Sequence, residues 1–318
     1  MTILENEPLS KHTNFRIGGP ARWFVVVKDE SELREAIAFA AEHGVPFRVI
    51  GGGSNVLASD EGFSGVVIQM AMRGVTINGT TVTADAGAMS AAVARQTASV
   101  GLKGMEWAIS LPGTIGGAVR GNAGCFGGEM KDVVRSVSVL RGKDVVEVVA
   151  ADLRFAYRES AMKQSNDIIL FVTMDLTTGD RGDLLRKIDE MLETRKTSQP
   201  LYAGSAGCMF KNYDAIEEDL QRFGRVFDLL PQEMPGSAGS AIGGKSSRRV
   251  SAGWLIDKLG LKGMKIGNAQ ISPEHGNFII NLGGATASDV AQLIALVKTR
   301  ARDQVGIQLQ EEVQYLGL

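Results

Sequence analysis

The chain has 318 residues, 44% apolar and 22% charged, with a formal net charge of −2: a globular composition with room for two or three domains. That charge leaves no basic footprint for nucleic acid or an anionic membrane, and no apolar run approaches the ~20 residues of a membrane span. Two cysteines, three histidines and no CxxC or HExxH leave no visible ligand set for a metal.

The opening MTILENEPLSKHTNF carries acids where a signal peptide needs a basic stretch, so the expectation is a cytoplasmic protein. In a reducing compartment Cys125 and Cys208 are expected as thiols. ARWFVVV (21–27) reads as a strand, and Glu32 to His43 as an amphipathic helix ending at Gly44. PFRVI then leads as a strand into Gly51-Gly52-Gly53-Ser54-Asn55. VTINGTTVTADAG (75–87) reads as a hairpin on its Asn78-Gly79 turn. A helix at about 89–100 precedes a second glycine-rich loop, LPGTIGGAVRGNAG (111–124).

SVSVLRGKDVVEVV (136–149) reads as another hairpin, DIILFVTMDL (167–176) as a buried strand, and 181–196 as a helix stopped by Gln199-Pro200. The main domain boundary is placed there. Beyond it the sequence predicts a short strand carrying Cys208, a helix around 213–223 and a mobile Gly/Ser loop over 235–247. A helix SAGWLIDKL, a strand NFIIN, a helix over 287–304 and a closing strand IQLQEEVQYL follow. Helices and hairpins mix without strict βαβ alternation, so the fold class is α+β.

Glycine runs persist where backbone must approach something closely. The loop at 51–55 could form an anion nest, and Pro112-Gly113-Thr114-Ile115-Gly116-Gly117 is a second loop of the kind. Two such loops suggest an extended phosphate-bearing ligand, such as a dinucleotide, gripped from both ends. Neither matches the Rossmann fingerprint. Gly239 to Ser246 does match the P-loop pattern GxxxxGK(S/T), but two prolines close upstream fit poorly with the buried strand that motif needs.

Eight stretches, in order, resemble one family: KHTNFRIGGPA (11–21), VIGGGSNVL (49–57), LPGTIGGAV (111–119), NAG (122–124), YRES (157–160), SAGCMFKN (205–212), AGWLIDKLGLKG (252–263) and EEVQYLG (311–317). The family is the UDP-N-acetylenolpyruvoylglucosamine reductases, flavoenzymes of peptidoglycan precursor synthesis, and the resemblance covers nearly the whole chain. It implies a two-part FAD-binding region like that of the vanillyl-alcohol-oxidase flavoproteins, with subdomains at 1–65 and 66–196. A C-terminal α+β substrate-binding domain would follow at 197–318, with a mobile insertion about 213–250. FAD would be bound noncovalently, NADPH would be co-substrate, and a UDP-sugar would be the substrate of a monomeric enzyme.

The resemblance also assigns residues. Gly51, Gly52, Gly53, Ser54, Asn55, Pro112, Gly113, Thr114, Gly116, Gly117, Asn122 and Gly124 would hold the cofactor. Arg158 would stabilise charge growing on the substrate carboxylate, and Glu312 would support the enolate. Cys208 stands where most relatives have serine as proton donor; a thiol, with an ordinary pKa of about 8.5, gives up a proton more readily. Lys196, Lys211 and Asn212 would bind substrate, although Tyr213 stands where the family usually has proline. Cys125, His12 and His275 are read as structural. Two other readings are a sugar or alcohol oxidase of the same fold and an ATP-binding protein using 239–246.

Overall fold

The computed structural model describes residues 1–230, 233–239 and 246–318. It divides into two compact units, one of Met1–Pro8, Pro20–Ser54 and Gly62–Thr197, the other of Leu9–Gly19, Asn55–Glu61 and Ser198–Leu318. Two short N-terminal segments thus belong with the C-terminal unit, which a linear division at 65 and 196 does not carry. Hydrogen bonds show why. Ser59 N donates to Leu316 O (2.8 Å), and Asn281 Nδ2 to Phe15 O (3.0 Å). The Asp60 carboxylate accepts from Ala287 N (2.7 Å) and Ser288 N (3.0 Å), capping the helix Ala287–Val305.

In the first unit, strands Ile3–Pro8, Pro20–Val27, Phe63–Met70 and Phe47–Ile50 form a sheet in that order, the first pair antiparallel and the others parallel. The helix Glu30–Glu42 makes the crossover. Asp29 caps it by accepting from Glu32 N (2.9 Å), and Leu33, Ala36 and Ala40 form its buried stripe. A five-stranded antiparallel sheet runs Asp144–Val149, Val134–Arg141, Ile168–Asp175, Thr81–Asp85, Val75–Asn78. Both predicted hairpins are in it. One core, from Trp23 and Val66 to Val172 and Ile188, joins the two sheets.

Among the described residues the second unit has two three-stranded sheets. One orders Tyr213–Ala215, Arg248–Val250, Gly236–Ala238; the other orders Lys265–Ile266, Ala269–Ile271, Ile279–Asn281. Helices Glu217–Phe227, Ala252–Lys258 and Ala287–Val305 pack Phe223, Leu255, Val290 and Val297 into its core. Gln314–Leu316 pairs in parallel with Val56–Ala58. The architecture is α+β, as the sequence predicts.

Local expectations fail at identifiable places. The glycine-rich stretch 111–124 contains a helix, Ile115–Arg120, hidden from propensity by Gly116 and Gly117. A Cβ at Gly116 would lie 2.8 Å from Ala86 Cβ, so the glycine there serves close packing. Instead of a helix from 213, a strand comes first and the helix starts at Glu217, where Glu217, Glu218 and Asp219 complement the N-terminal dipole. Cys208 sits in an isolated bridge to Phe278, not a strand, beside Gly207 at φ +78°. The closing strand is confined to Gln314–Leu316. Of the P-loop pattern, residues 240–245 lie outside the described residues, but Arg248–Val250 just beyond it is a strand, where that motif needs a helix. Among the described residues no helix is long and apolar enough to cross a membrane, and no cluster of metal-ligating side chains occurs.

Candidate active site

The strand Phe47–Ile50 delivers the chain into Gly51–Ser54, and the helix Ser90–Ser99 and the residues before Ile115 present the second loop. A Cβ on Gly51 would lie 2.3 Å from Thr114 Oγ1, and one on Gly52 3.0 Å from Gly113 Cα. Gly113 has φ +100°, and a Cβ there would lie 2.5 Å from Ser54 Oγ. Ser54 Oγ donates to Pro112 O (3.1 Å). The two loops therefore interlock and meet at one place in this unit. Gly117 is different, since its Cβ would meet Thr114 Oγ1 at an ordinary 3.6 Å.

Backbone polarity at this junction is incomplete. Among the described residues the N–H groups of Gly52, Gly53 and Ser54 make no hydrogen bond, and Gly53, buried, has φ +64°. Ser90 Oγ is also buried without a partner, while Ser90 N donates to Gly113 O (3.1 Å). Adjacent unbonded N–H groups in such a turn are an anion nest.

In the same unit Ala156 and Glu159 exchange two backbone hydrogen bonds of 3.0 Å, closing a turn with Arg158 at φ +56°. An arginine in the left-handed region costs about 1–2 kcal/mol that glycine would avoid. Its Nη2 donates to Gly124 O (2.9 Å), and its guanidinium carbon lies 5.2 Å from the Tyr157 ring centroid. Lys163 Nζ donates to Arg158 O. Asn122, fully buried, donates from Nδ2 to Glu129 Oε2 (2.7 Å) and Ala156 O (2.9 Å) and accepts from Lys131 N (3.0 Å). Its side chain braces the turn. Gly124 is required by the hairpin to Gly128–Glu129, where a Cβ would come within 2.6 Å of Gly128 O. Cys125 Sγ donates to Trp107 O (3.1 Å), and burial pushes its thiol above the ordinary range against the pull of Arg195 and Arg158. Lys196, on the helix Arg181–Ser198, is exposed and paired with Glu193.

The second unit gathers Cys208, Lys211, Asn212 and Glu312. Asn277 clasps the segment, accepting from Phe210 N (2.9 Å) and donating to Phe210 O (2.8 Å), while Met209 N donates to Asn277 O (2.8 Å). Glu312 N donates to Met209 O (2.8 Å) and Lys211 N to Gln310 O (2.8 Å), with a bridge between Phe210 and Glu311. The backbone after Cys208 therefore lies along the backbone of Glu312. Asn212 Oδ1 accepts from Ala252 N (3.1 Å) at the start of the helix Ala252–Lys258. Glu311 takes Lys298 Nζ (2.7 Å) and the Tyr315 hydroxyl. Burial works to raise its carboxyl, but those two donors prevail and hold it below the ordinary value, while burial and Glu311 push the Tyr315 phenol up. Lys298 lies in no motif by which sequence reasoning could have found it, whereas Tyr315 lies within EEVQYLG (311–317). His275 Nδ1 accepts from Asn277 N (3.2 Å).

Residues 199–316 match the family described as UDP-N-acetylenolpyruvoylglucosamine reductase, C-terminal domain, and residues 21–148 match an FAD binding domain. The UDP-N-acetylenolpyruvoylglucosamine reductase of Heliobacterium modesticaldum is 38% identical over 317 residues, covering 99% of this chain and 90% of that protein. The Caldicellulosiruptor bescii reductase is 37% identical over 319 residues, covering 99% and 91%. This chain belongs to the UDP-N-acetylenolpyruvoylglucosamine reductase family. The crystal structure of the reductase from Thermus caldophilus matches at TM-score 0.76 and 32% identity, covering 99% of each chain. FAD is the group to test against the interlocked loops of this reductase fold, and they fit it. The unbonded N–H groups of Gly52, Gly53 and Ser54 suit a diphosphate, and Ser90 Oγ is a buried hydroxyl awaiting a partner.

Proposed function

We propose that this flavoenzyme reduces the enolpyruvyl group of UDP-N-acetylenolpyruvoylglucosamine to UDP-N-acetylmuramate at the expense of NADPH. The observation that carries the reading is the pairing in the second unit, where Glu312 N holds Met209 O and so ties the Cys208 segment to the segment of Glu312. The double bond takes a hydride at one carbon and a proton at the other, so the protein must supply an acid and a field for the charge between those events. FAD, held by Gly51–Ser54 and Pro112–Gly117, would relay the hydride from NADPH.

Arg158 presents a fixed positive charge to the substrate carboxylate, and its left-handed φ supports a functional reason for its side chain at that turn. Cys208 Sγ donates the proton to the enolate carbon, and Glu312 orients that acid and the forming enolate. Lys196, Lys211 and Asn212 bind the diphosphate and uracil. Residues 1–196 hold the cofactor and 197–318 the substrate, with the segments 9–19 and 55–61 built into the latter. The enzyme works as a cytoplasmic monomer, and gel filtration checks that state.

The decisive test is an anaerobic absorbance trace of the purified protein. Bleaching of a flavin band near ~450 nm by NADPH, and its return only on adding the enolpyruvyl substrate, is the expected result. Cys208→Ala should leave the bleaching intact and slow the return about 10²- to 10⁴-fold. A protein that cannot be loaded with FAD, or whose band returns equally well with a simple sugar or alcohol product pair, overturns the reading.

A further inference from the structure

We propose that Asn55 is a positioning residue that fixes the backbone of Glu312; this rests on the role just given to Glu312. Asn55 Nδ2 donates to Glu312 O (3.0 Å), and Gln314 N donates to Asn55 O (3.0 Å). A carbonyl partner decides which end of the amide is nitrogen, since the oxygen would be repelled there. Gln314 Nε2 shares the same carbonyl at 3.1 Å. With Glu312 N already bound to Met209 O, both peptide groups flanking the Glu312 Cα are held. The direction of its Cα–Cβ bond follows from those two planes.

The other end of the Asn55 amide is the second observation. Its Oδ1 is buried with no partner among the described residues, so the bond to Glu312 is what holds the side chain. A buried acceptor left without a donor is costly and rare in structures, and it marks a position kept for something other than packing. Val56–Ala58, directly after Asn55, pairs with Gln314–Leu316, so backbone pairing and the side-chain bond fix the Glu312 segment from the same short stretch of chain. The resemblance to the family assigns Asn55 to the cofactor; the hydrogen bonds assign its nitrogen to Glu312.

Asn55→Asp keeps the shape and replaces the donor by an oxygen facing the Glu312 carbonyl; Asn55→Ala removes the group, and each is checked by a thermal melt. Both are measured as flavin-loaded enzyme for reduction by NADPH and for reoxidation by UDP-N-acetylenolpyruvoylglucosamine. Reoxidation should slow roughly tenfold, the effect of one net hydrogen bond, with flavin retained and KM little changed. In a Glu312→Gln background the same substitutions should add less than about twofold, because the partner they act through is already disabled. A full additional tenfold loss in that background overturns the proposal. So does loss of flavin in step with activity in both variants, which would make Asn55 a cofactor ligand. Failure of the underlying role shows separately, as wild-type reoxidation in Glu312→Gln alone, and the proposal falls with it.

Discussion

The glycine loops of the first unit and the Cys208–Glu312 segments of the second solve different problems with different materials. The loops are backbone against backbone: Gly52 meets Gly113, Gly51 meets Thr114, and the groups left over are N–H donors. The second region is irregular chain held by side chains, with Asn277 on Phe210, Asn55 on Glu312, and Lys298 and Tyr315 on Glu311. A diphosphate needs several weak donors on a fixed curve, which backbone supplies. Proton transfer to carbon needs one acid at one place, which only a side chain supplies. Substitutions should accordingly fail in different ways in the two regions.

The largest effect is expected at Arg158, a first-unit side chain set on a turn with φ +56°. Arg158→Asn keeps a residue that tolerates positive φ and removes the guanidinium. Turnover should fall about 10²- to 10³-fold, as for loss of one preorganised charge, while the melting temperature stays level or rises. A parallel fall of stability and rate would place Arg158 among structural braces, and steady-state kinetics beside calorimetry separates the outcomes.

Gly51→Ala tests the backbone region. Its methyl would sit 2.3 Å from Thr114 Oγ1, so the loops must part, at a cost of about 1–3 kcal/mol, and bound flavin should be lost before catalysis is altered. Thr114→Ala in the same chain removes the clashing hydroxyl and should restore flavin retention. If the double variant stays empty, the hydroxyl contact is not what makes glycine necessary. Flavin absorbance after gel filtration is the measurement.

How far each region is legible in the sequence follows from the same contrast. Glycine is visible in a sequence, so 51–55 and 112–117 stand out as a pair of loops suited to a dinucleotide from their residues alone. Their interlocking does not, because nothing in the chain between them says that Gly52 meets Gly113. The helix Ile115–Arg120 is concealed by the two glycines within it, one of which lets it pack on Ala86. Cys208 and Glu312 are found through family resemblance alone. Their neighbourhood depends on isolated bridges and on Asn277, which leave no hydrophobic period to read. Tyr213 stands where the family usually has proline, and it is the first residue of an edge strand paired to Val250, a place that also tolerates proline, so the pairing leaves that departure unexplained.

Asn277→Ala strikes the second region at its brace. Phe210 N and O lose their partner in a buried place, and each orphaned group costs about 1–3 kcal/mol. The urea midpoint should drop accordingly, and proton transfer from Cys208 should slow with flavin content preserved. Loss of flavin instead would mean that this brace also supports the cofactor.

The smallest effect is a pH dependence at Tyr213, whose hydroxyl donates to Asp219 Oδ2 (3.1 Å). Burial first, then the Asp219 charge and this hydrogen bond, push its phenol up to about 12, with Arg222 pulling the other way. A raised folded-state value favours the protonated form. The stabilisation is therefore complete below the unfolded value near ~10 and is lost as pH climbs toward about 12. Tyr213→Phe removes the titrating group and one hydrogen bond, so it should be about 0.5–1.5 kcal/mol less stable at pH 8. The two stability curves should then converge between pH ~10 and ~12. Curves that stay parallel across that range would show that the phenol does not carry the alkaline loss.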